Sequence, residues 1–310
     1  MNPSISIIMN CKNGEKFLKE SLDSIVGQTY KNWELIFVDN ASNDNSKKIF
    51  NYYKDLRFKY IYIDKLVNLG QARQVALKNC SGDYIAFLDT DDIWFEKKLE
   101  TQIKFFNNQE IGMVISNTIF FSTKKEKTFY SKEPPTGKVF YDLIKKYFIS
   151  LETLICRKKY LDLLPFEFDK EYSMISDMDL TLRLSSICEL AYCPQVLSKW
   201  RVHDESDTWN KKNLFFTEKL SLIEKLTLIN NNFRNSYFLE NKKKFIENIN
   251  FSQILNLVES ENKLKKKEII KEIFKKKMKF SKFLLLLILI ILPFNKILIK
   301  FYRTIFSINP

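Results

Sequence analysis

Between Ser4 and Leu88 the chain alternates strand-like and helix-like segments, and this alternation constrains the fold more than any other feature. Ser4–Met9, Trp33–Val38, Phe58–Ile63 and Tyr84–Leu88 are short apolar runs rich in β-formers. Between them, Gly14–Val26 carries Phe17, Leu18, Leu22, Ile25 and Val26 at helical spacing. Ser42-Asn43-Asp44 supplies turn and cap residues for a helix through Tyr53, and Leu69–Lys78 reads as a third helix. Strands and helices alternating in this way build βαβ units, hence an α/β fold with a mostly parallel sheet. Ligands of such sheets sit beyond the carboxyl ends of the strands. The second run ends at Asp39, and the fourth runs directly into Asp89-Thr90-Asp91-Asp92.

Further on, Gly112–Phe121 and Leu151–Cys156 read as strands, Ser176–Ile187 as a helix and Val196–Val202 as another strand. Ser122–Lys138, with Pro134-Pro135 and Gly137, reads as a surface loop. After Asp204 the composition changes. Leu214–Ile229, Phe238–Val258 and Leu264–Phe274 are rich in Lys, Glu and Asn with periodic apolar residues, so helical. The expected organisation is an α/β domain at 1–205, a Lys-rich helical extension at 206–280 and an apolar, basic tail at 281–310.

The net charge is +13, and its placement matters more than its size. From Lys263 to Pro310 twelve Lys and one Arg stand against two Glu, +11, which leaves 13 − 11 = +2 for residues 1–262. A near-neutral body argues against a nucleic-acid interface, and the basic tail calls for an anionic partner, a membrane surface. Phe283–Leu292 is ten apolar residues, extended to Phe294 across Pro293. A helix of that length reaches about 18 Å, against a hydrocarbon core of roughly 30 Å. The expectation is therefore a tail that lies on or re-enters the membrane, peripheral or monotopic, at its cytoplasmic face. A buried core helix beside a solvated Lys-rich neighbour accounts for the same pattern. The five cysteines form no CxxC pair and read as reduced thiols of a cytosolic compartment.

Three carboxylates in four residues at a strand end repel one another unless a cation or hydrogen-bond donors compensate. Such hard oxygen ligands suit Mg²⁺ or Mn²⁺, with a diphosphate completing the shell; a turn capping a helix from Trp94 accounts for them equally well. His203, the single histidine, follows a strand-like run and is a competent ligand for Mn²⁺-like ions, though a lone histidine is more often a surface or core residue. Ser176 with Asp179 has the spacing of a capping box. That leaves Asp177 in the first helical turn, where the helix dipole keeps it ionised, as a general base requires; an acid that merely complements the helix end fits the position equally well. Asn68-Leu69-Gly70 opens a helix whose N-terminus has the form of a phosphate site, with Arg73 one turn on. An ordinary exposed Arg fits that position too. The six glycines form neither GxGxxG nor a P-loop, and Asn10–Gly14 lacks the glycine-rich loop a nucleotidyltransferase needs.

In this order the segments resemble glycosyltransferase family 2, the group with the GT-A fold, from Ser4 to about Ser206. The resemblance is carried by Ser4–Asn10, Leu22–Trp33, Val38–Asp44, Asn68–Arg73, Phe87–Asp92, Asp177–Leu180 with Arg183, and Trp200–His203. It implies that Asp39 contacts the nucleotide base, that Arg73 lies beside the nucleotide and that Asp89 binds ribose. It further implies that Asp91 and His203 hold the metal and that Asp177 deprotonates the acceptor. Asp92, Asp179, Arg183 and Arg201 are candidates for supporting roles.

The implied reaction is inverting, metal-dependent transfer from a nucleotide sugar, a UDP-sugar above all. The acceptor would be a saccharide or lipid-linked saccharide, in bacterial surface-polysaccharide synthesis. Two departures stand out: Ser176 where many relatives have Glu, and Gln74 where Asn is common. The Gln-x-x-Arg-Trp signature of processive relatives is absent, so one or a few sugars are expected per acceptor. A catalytically silent, nucleotide-binding scaffold is the alternative.

Overall fold

The computed structural model describes residues 3–203, 211–229, 236–259, 266–276, 282 and 284–286. Contacts divide the chain into two compact units, Met1–Ser206 and Asp207–Pro310. The first unit begins with the expected alternation: β1 (Ile5–Cys11), α1 (Leu18–Val26), β2 (Trp33–Asn40), α2 (Ser46–Tyr52), β3 (Phe58–Ile63), α3 (Leu69–Lys78) and β4 (Tyr84–Phe87). β1 lies between β2 and β4 and pairs with both in parallel; β3 adds in parallel beyond β2. β1, β2 and β4 are buried along almost their whole length, as central strands of a covered sheet must be. The edge strand β3 has no fully buried residue, and Lys59 and Tyr62 are exposed. Because the sheet grows in opposite directions from β1, its topological switch lies between β1 and β4, the place where sheets of this kind bind ligands. Asp89 follows β4 at that point.

The second half of this unit is mixed. β5 (Ile93–Trp94) leads to α4 (Lys98–Gln102), then β6 (Ile111–Phe121), β7 (Glu126–Thr128), α5 (Phe140–Lys145), β8 (Ile155–Arg157), α6 (Lys158–Leu161), α7 (Ser176–Ser185) and β9 (Glu189–Arg201). The sheet order is β3-β2-β1-β4-β8-β6-β9-β5, with β7 on β6. β8 is antiparallel to both β4 and β6, whereas β9 runs parallel to β6. Four details differ from the sequence expectations. The Asp-rich turn caps no helix at Trp94, because Ile93 and Trp94 pair as a strand with Lys199 and Ser198. The loop at 122–138 contains β7, a hairpin arm against Ile119–Phe121. The strand expected at Leu151–Cys156 is a 3₁₀ turn over Leu151–Thr153 before β8. β9 is also longer than expected: Pro194 and Gln195 are extra residues in a bulge between the pairs Ser116↔Cys193 and Asn117↔Val196, and they interrupt the strand pattern.

The second unit contains α8 (Lys212–Ile229), α9 (Ser236–Glu259) and α10 (Lys266–Lys275), at the positions of the three expected helices. α8 packs on α9 and α9 on α10. Among the described residues no helix is long and apolar enough to cross a membrane. The expected membrane-associating segment, 281–310, lies outside the described residues except at 282 and 284–286.

Candidate active site

The Asp89–Asp92 turn is held from several sides. Leu88 N still donates to Ile8 O, and Asp92 N closes the turn on Asp89 O. Ser21, buried on α1, places its hydroxyl 2.8 Å from Thr90 O and 2.6 Å from Asp92 O. Asp92 is itself buried, and its carboxylate accepts from Arg201 N at 2.8 Å. Arg201 Nε donates to Asp91 O at 2.8 Å, and Nη2 reaches Glu20. The Arg201 guanidinium lies between the Phe17 and Phe121 rings, 4.3 and 4.5 Å from their centroids. This clamp binds the end of β9 to the acidic turn, and His203 Nε2 comes to 2.9 Å from Asp91 Oδ2.

The first unit brings the other sequence candidates to the same strand ends. Asp39 is buried at the end of β2, accepting from Ser42 N at 2.9 Å and from the Tyr60 hydroxyl at 2.6 Å. Just beyond it, Ala41 has φ +57°, and Asn13 after β1 has φ +53°, a conformation that costs a non-glycine residue energy and recurs at ligand sites. Arg73 is not an exposed helix residue. It is buried, donating to Ser176 Oγ at 2.6 Å and approaching Asp89 Oδ1 at 3.4 Å. The Asp89 side chain keeps 40% of its exposure, yet the protein around it desolvates the carboxyl and raises its pKa. Arg73 opposes that rise, and the charges of Asp91 and Asp177 add to it. Asp92 is pushed up further by burial and by Asp91, Glu152 and Asp89. Asp177, in the first turn of α7, therefore shares one electrostatic field with the Asp89 turn. The Tyr147 hydroxyl stands 3.5 Å from Asp177 Oδ2 and 3.1 Å from Thr181 Oγ1.

Several candidates have other work. Ser176 is the first helical residue of α7 and its hydroxyl oxygen accepts from Arg73, while Ile175 holds the cap position with no side-chain cap. Asp179 and Arg183 form a buried ion pair, and Arg183 also holds the carbonyls of Phe166 and Glu167, so the pair shapes the segment before α7. The N-terminus of α3 is not open to phosphate. Gly70 N donates to Tyr172 O at 2.9 Å, Asn68 caps Gln71 N, and a Cβ on Gly70 would stand 2.1 Å from Asp169 O. That glycine serves a close backbone approach.

Sequence reasoning missed Tyr147, which carries no local signal. It also missed Glu152 and Lys98, buried behind the Asp turn. Burial lowers the Lys98 pKa to about 7 and raises that of Glu152.

No group of three or more His, Cys, Asp or Glu side chains forms a ready metal cage among the described residues. Asp91 and His203 fit the role of two neighbouring ligands. The two are in hydrogen-bond contact at 2.9 Å, so an imidazole nitrogen and a carboxylate oxygen, both suited to Mg²⁺ or Mn²⁺, already stand side by side.

A family profile described as "Glycosyl transferase family 2" matches residues 6–163. The Escherichia coli UDP-Glc:alpha-D-GlcNAc-diphosphoundecaprenol beta-1,3-glucosyltransferase WfgD is 31% identical over 208 residues, which are 67% of this chain and 80% of that protein. The chain belongs to glycosyltransferase family 2. An uncharacterized glycosyltransferase of Methanocaldococcus jannaschii is 30% identical over 263 residues, 81% of this chain and 85% of its own. The crystal structure of S. aureus TarS 1–349 superposes with a TM-score of 0.65 at 18% identity, over 91% of this chain and 80% of TarS 1–349, and carries the same GT-A fold. This glycosyltransferase thus takes sugar from a nucleotide-sugar donor, on the α/β scaffold the sequence implies.

Proposed function

We propose that this glycosyltransferase carries out inverting, metal-dependent, non-processive transfer from a UDP-sugar to a hydroxyl of a saccharide or lipid-linked saccharide. The observation that carries this reading is the convergence of the candidate side chains at the ends of β4 and β9. Asp89, Arg73 and Asp177 share one field there, beside the Asp91–His203 pair. Asp39 would meet the base and Asp89 the ribose, while Arg73 would lie beside the nucleotide. Asp177 would take the proton from the acceptor hydroxyl as its oxygen bonds to the anomeric carbon, and the bond to the diphosphate would break with its electron pair on the leaving group. Tyr147 would orient Asp177 by hydrogen bonding to its carboxylate. A Mg²⁺ or Mn²⁺ held by Asp91 and His203 would supply charge neutralisation at the departing diphosphate.

Named relatives support the choice of substrates. WfgD is described as using UDP-Glc and a diphosphoundecaprenol-linked sugar. TarS 1–349 has been crystallised with UDP-GlcNAc, and a Pyrobaculum calidifontis mannosyltransferase with GDP-Man and Mn²⁺. The reaction would belong to bacterial surface-glycan synthesis at the cytoplasmic face of the membrane, and the support for that location is the charge of the basic tail, which would be drawn to anionic lipid.

The test is a screen of nucleotide sugars for release of nucleoside diphosphate with and without Mn²⁺. Release from one donor that depends on metal and is lost in Asp177→Asn supports the reading. Nucleotide binding without turnover of any donor would favour a silent scaffold.

A further inference from the structure

Asp177 opens α7, yet from Asp162 to Ile175 the chain before it forms no helix or strand. That segment is held by α3, the helix of the nucleotide side. Gly70 N donates to Tyr172 O, and the Gln74 side chain accepts from Phe168 N at 2.9 Å. The last link is Arg73, with Nη1 on Ser176 Oγ at 2.6 Å and Nη2 toward Asp89 Oδ1 at 3.4 Å. Arg73 and Ser176 are both buried. One guanidinium thus joins the Asp89 carboxylate to the hydroxyl that precedes Asp177 in the chain. Serine suits this place chemically. A neutral acceptor orients the guanidinium without cancelling its charge, which stays available to Asp89 and to a bound nucleotide.

We propose that Ser176 is a positioning residue: through the buried Arg73–Ser176 hydrogen bond, nucleotide bound on the Asp89 side fixes the first turn of α7 and with it Asp177. The proposal rests on the reading of Arg73 and Asp89 as donor-side residues and of Asp177 as the base. A nucleotide that engages Arg73 or Asp89 immobilises the guanidinium. Its planar donors are directional, so the Ser176 hydroxyl is held as well. The acceptor-side base then comes into register only over a filled donor site, a coupling between two sites through one side chain.

Hydrogen exchange of the full-length protein, with and without UDP and in parallel with GDP, tests this, with binding followed by calorimetry. Nucleotide is expected to slow exchange at the Asp177–Leu180 amides about tenfold in the wild type and in Ser176→Thr. Ser176→Ala is expected to bind the same nucleotide with Kd within about threefold and to lose that protection. Protection absent from the wild type, or unchanged in Ser176→Ala, overturns the proposal and leaves the donor reading standing. A wild-type protein that binds neither nucleotide overturns the donor reading, and this proposal with it. Where Ser176→Ala lacks a cooperative melt, Ser176→Cys, similar in size with a weak acceptor, replaces it under the same criteria.

Discussion

His203 Nε2 and Asp91 Oδ2 stand 2.9 Å apart although 112 residues separate them in the chain. The contact joins the turn after β4 to the residue two beyond the end of β9. If it is the metal pair, Asp91→Ala lowers metal-dependent release of nucleoside diphosphate by about 100-fold to 1,000-fold. His203→Ala lowers it by about 10-fold to 100-fold and raises the Mn²⁺ concentration for half-maximal activity. A Mn²⁺ titration of each variant reads both effects, and unchanged turnover in Asp91→Ala would falsify the metal role.

Arg201 keeps that pair together. Its Nε holds Asp91 O, and its planar cation sits between Phe17 and Phe121. Lysine keeps the charge and loses both the fork and the stacking. Arg201→Lys should therefore cut kcat about tenfold with a smaller change in donor KM, since a misplacement of about 1 Å is enough for such a loss. Steady-state kinetics on the preferred donor checks the split.

Gly70 is a packing requirement. A Cβ there meets Asp169 O at 2.1 Å and Tyr172 O at 2.7 Å, both backbone atoms. Gly70→Ala should destabilise the protein by about 1–3 kcal/mol. Urea unfolding is expected to show a lower midpoint with an unchanged slope.

Glu34 gives the fold an acid-sensitive joint. Burial alone would raise its pKa, but hydrogen bonds from Lys59, Ser6 and Ser81 outweigh it and hold the pKa at about 2, below the ordinary 4.5. The unfolded chain therefore takes up the proton first as pH falls. The stabilisation is complete above about pH 4.5 and is lost as pH falls toward 2. Glu34→Gln should flatten stability against pH in that window, as read by Tm between pH 5 and 2.5. A variant curve parallel to that of the wild type would contradict this assignment.

The local pattern of the chain determined the first half of the fold and the α-helical second unit. β3 and α3 occupy Phe58–Ile63 and Leu69–Lys78, the ranges expected from periodicity, because apolar spacing and β-branching are written in consecutive residues. The same pattern put Asp39 and Asp89 at strand ends. Tertiary structure decided what spacing cannot express. Pro194 breaks the local strand pattern of β9, and the strand continues on both sides of it only because Cys193 and Val196 pair with β6 around the bulge. Ser176 had the spacing of a cap, but Arg73, 103 residues away, claims its hydroxyl. Gly70 had the look of a phosphate site and proved to be where the backbone at Asp169–Tyr172 lies against α3. In each case a partner remote in sequence outweighed a local preference worth about 1 kcal/mol, because a buried polar group or a steric overlap left unresolved costs more. The Asp91–His203 pair stands apart from these: the family resemblance already implied it from sequence, and the tertiary structure supplies the means, because β9 closes onto the turn after β4 and brings Nε2 to 2.9 Å from Oδ2.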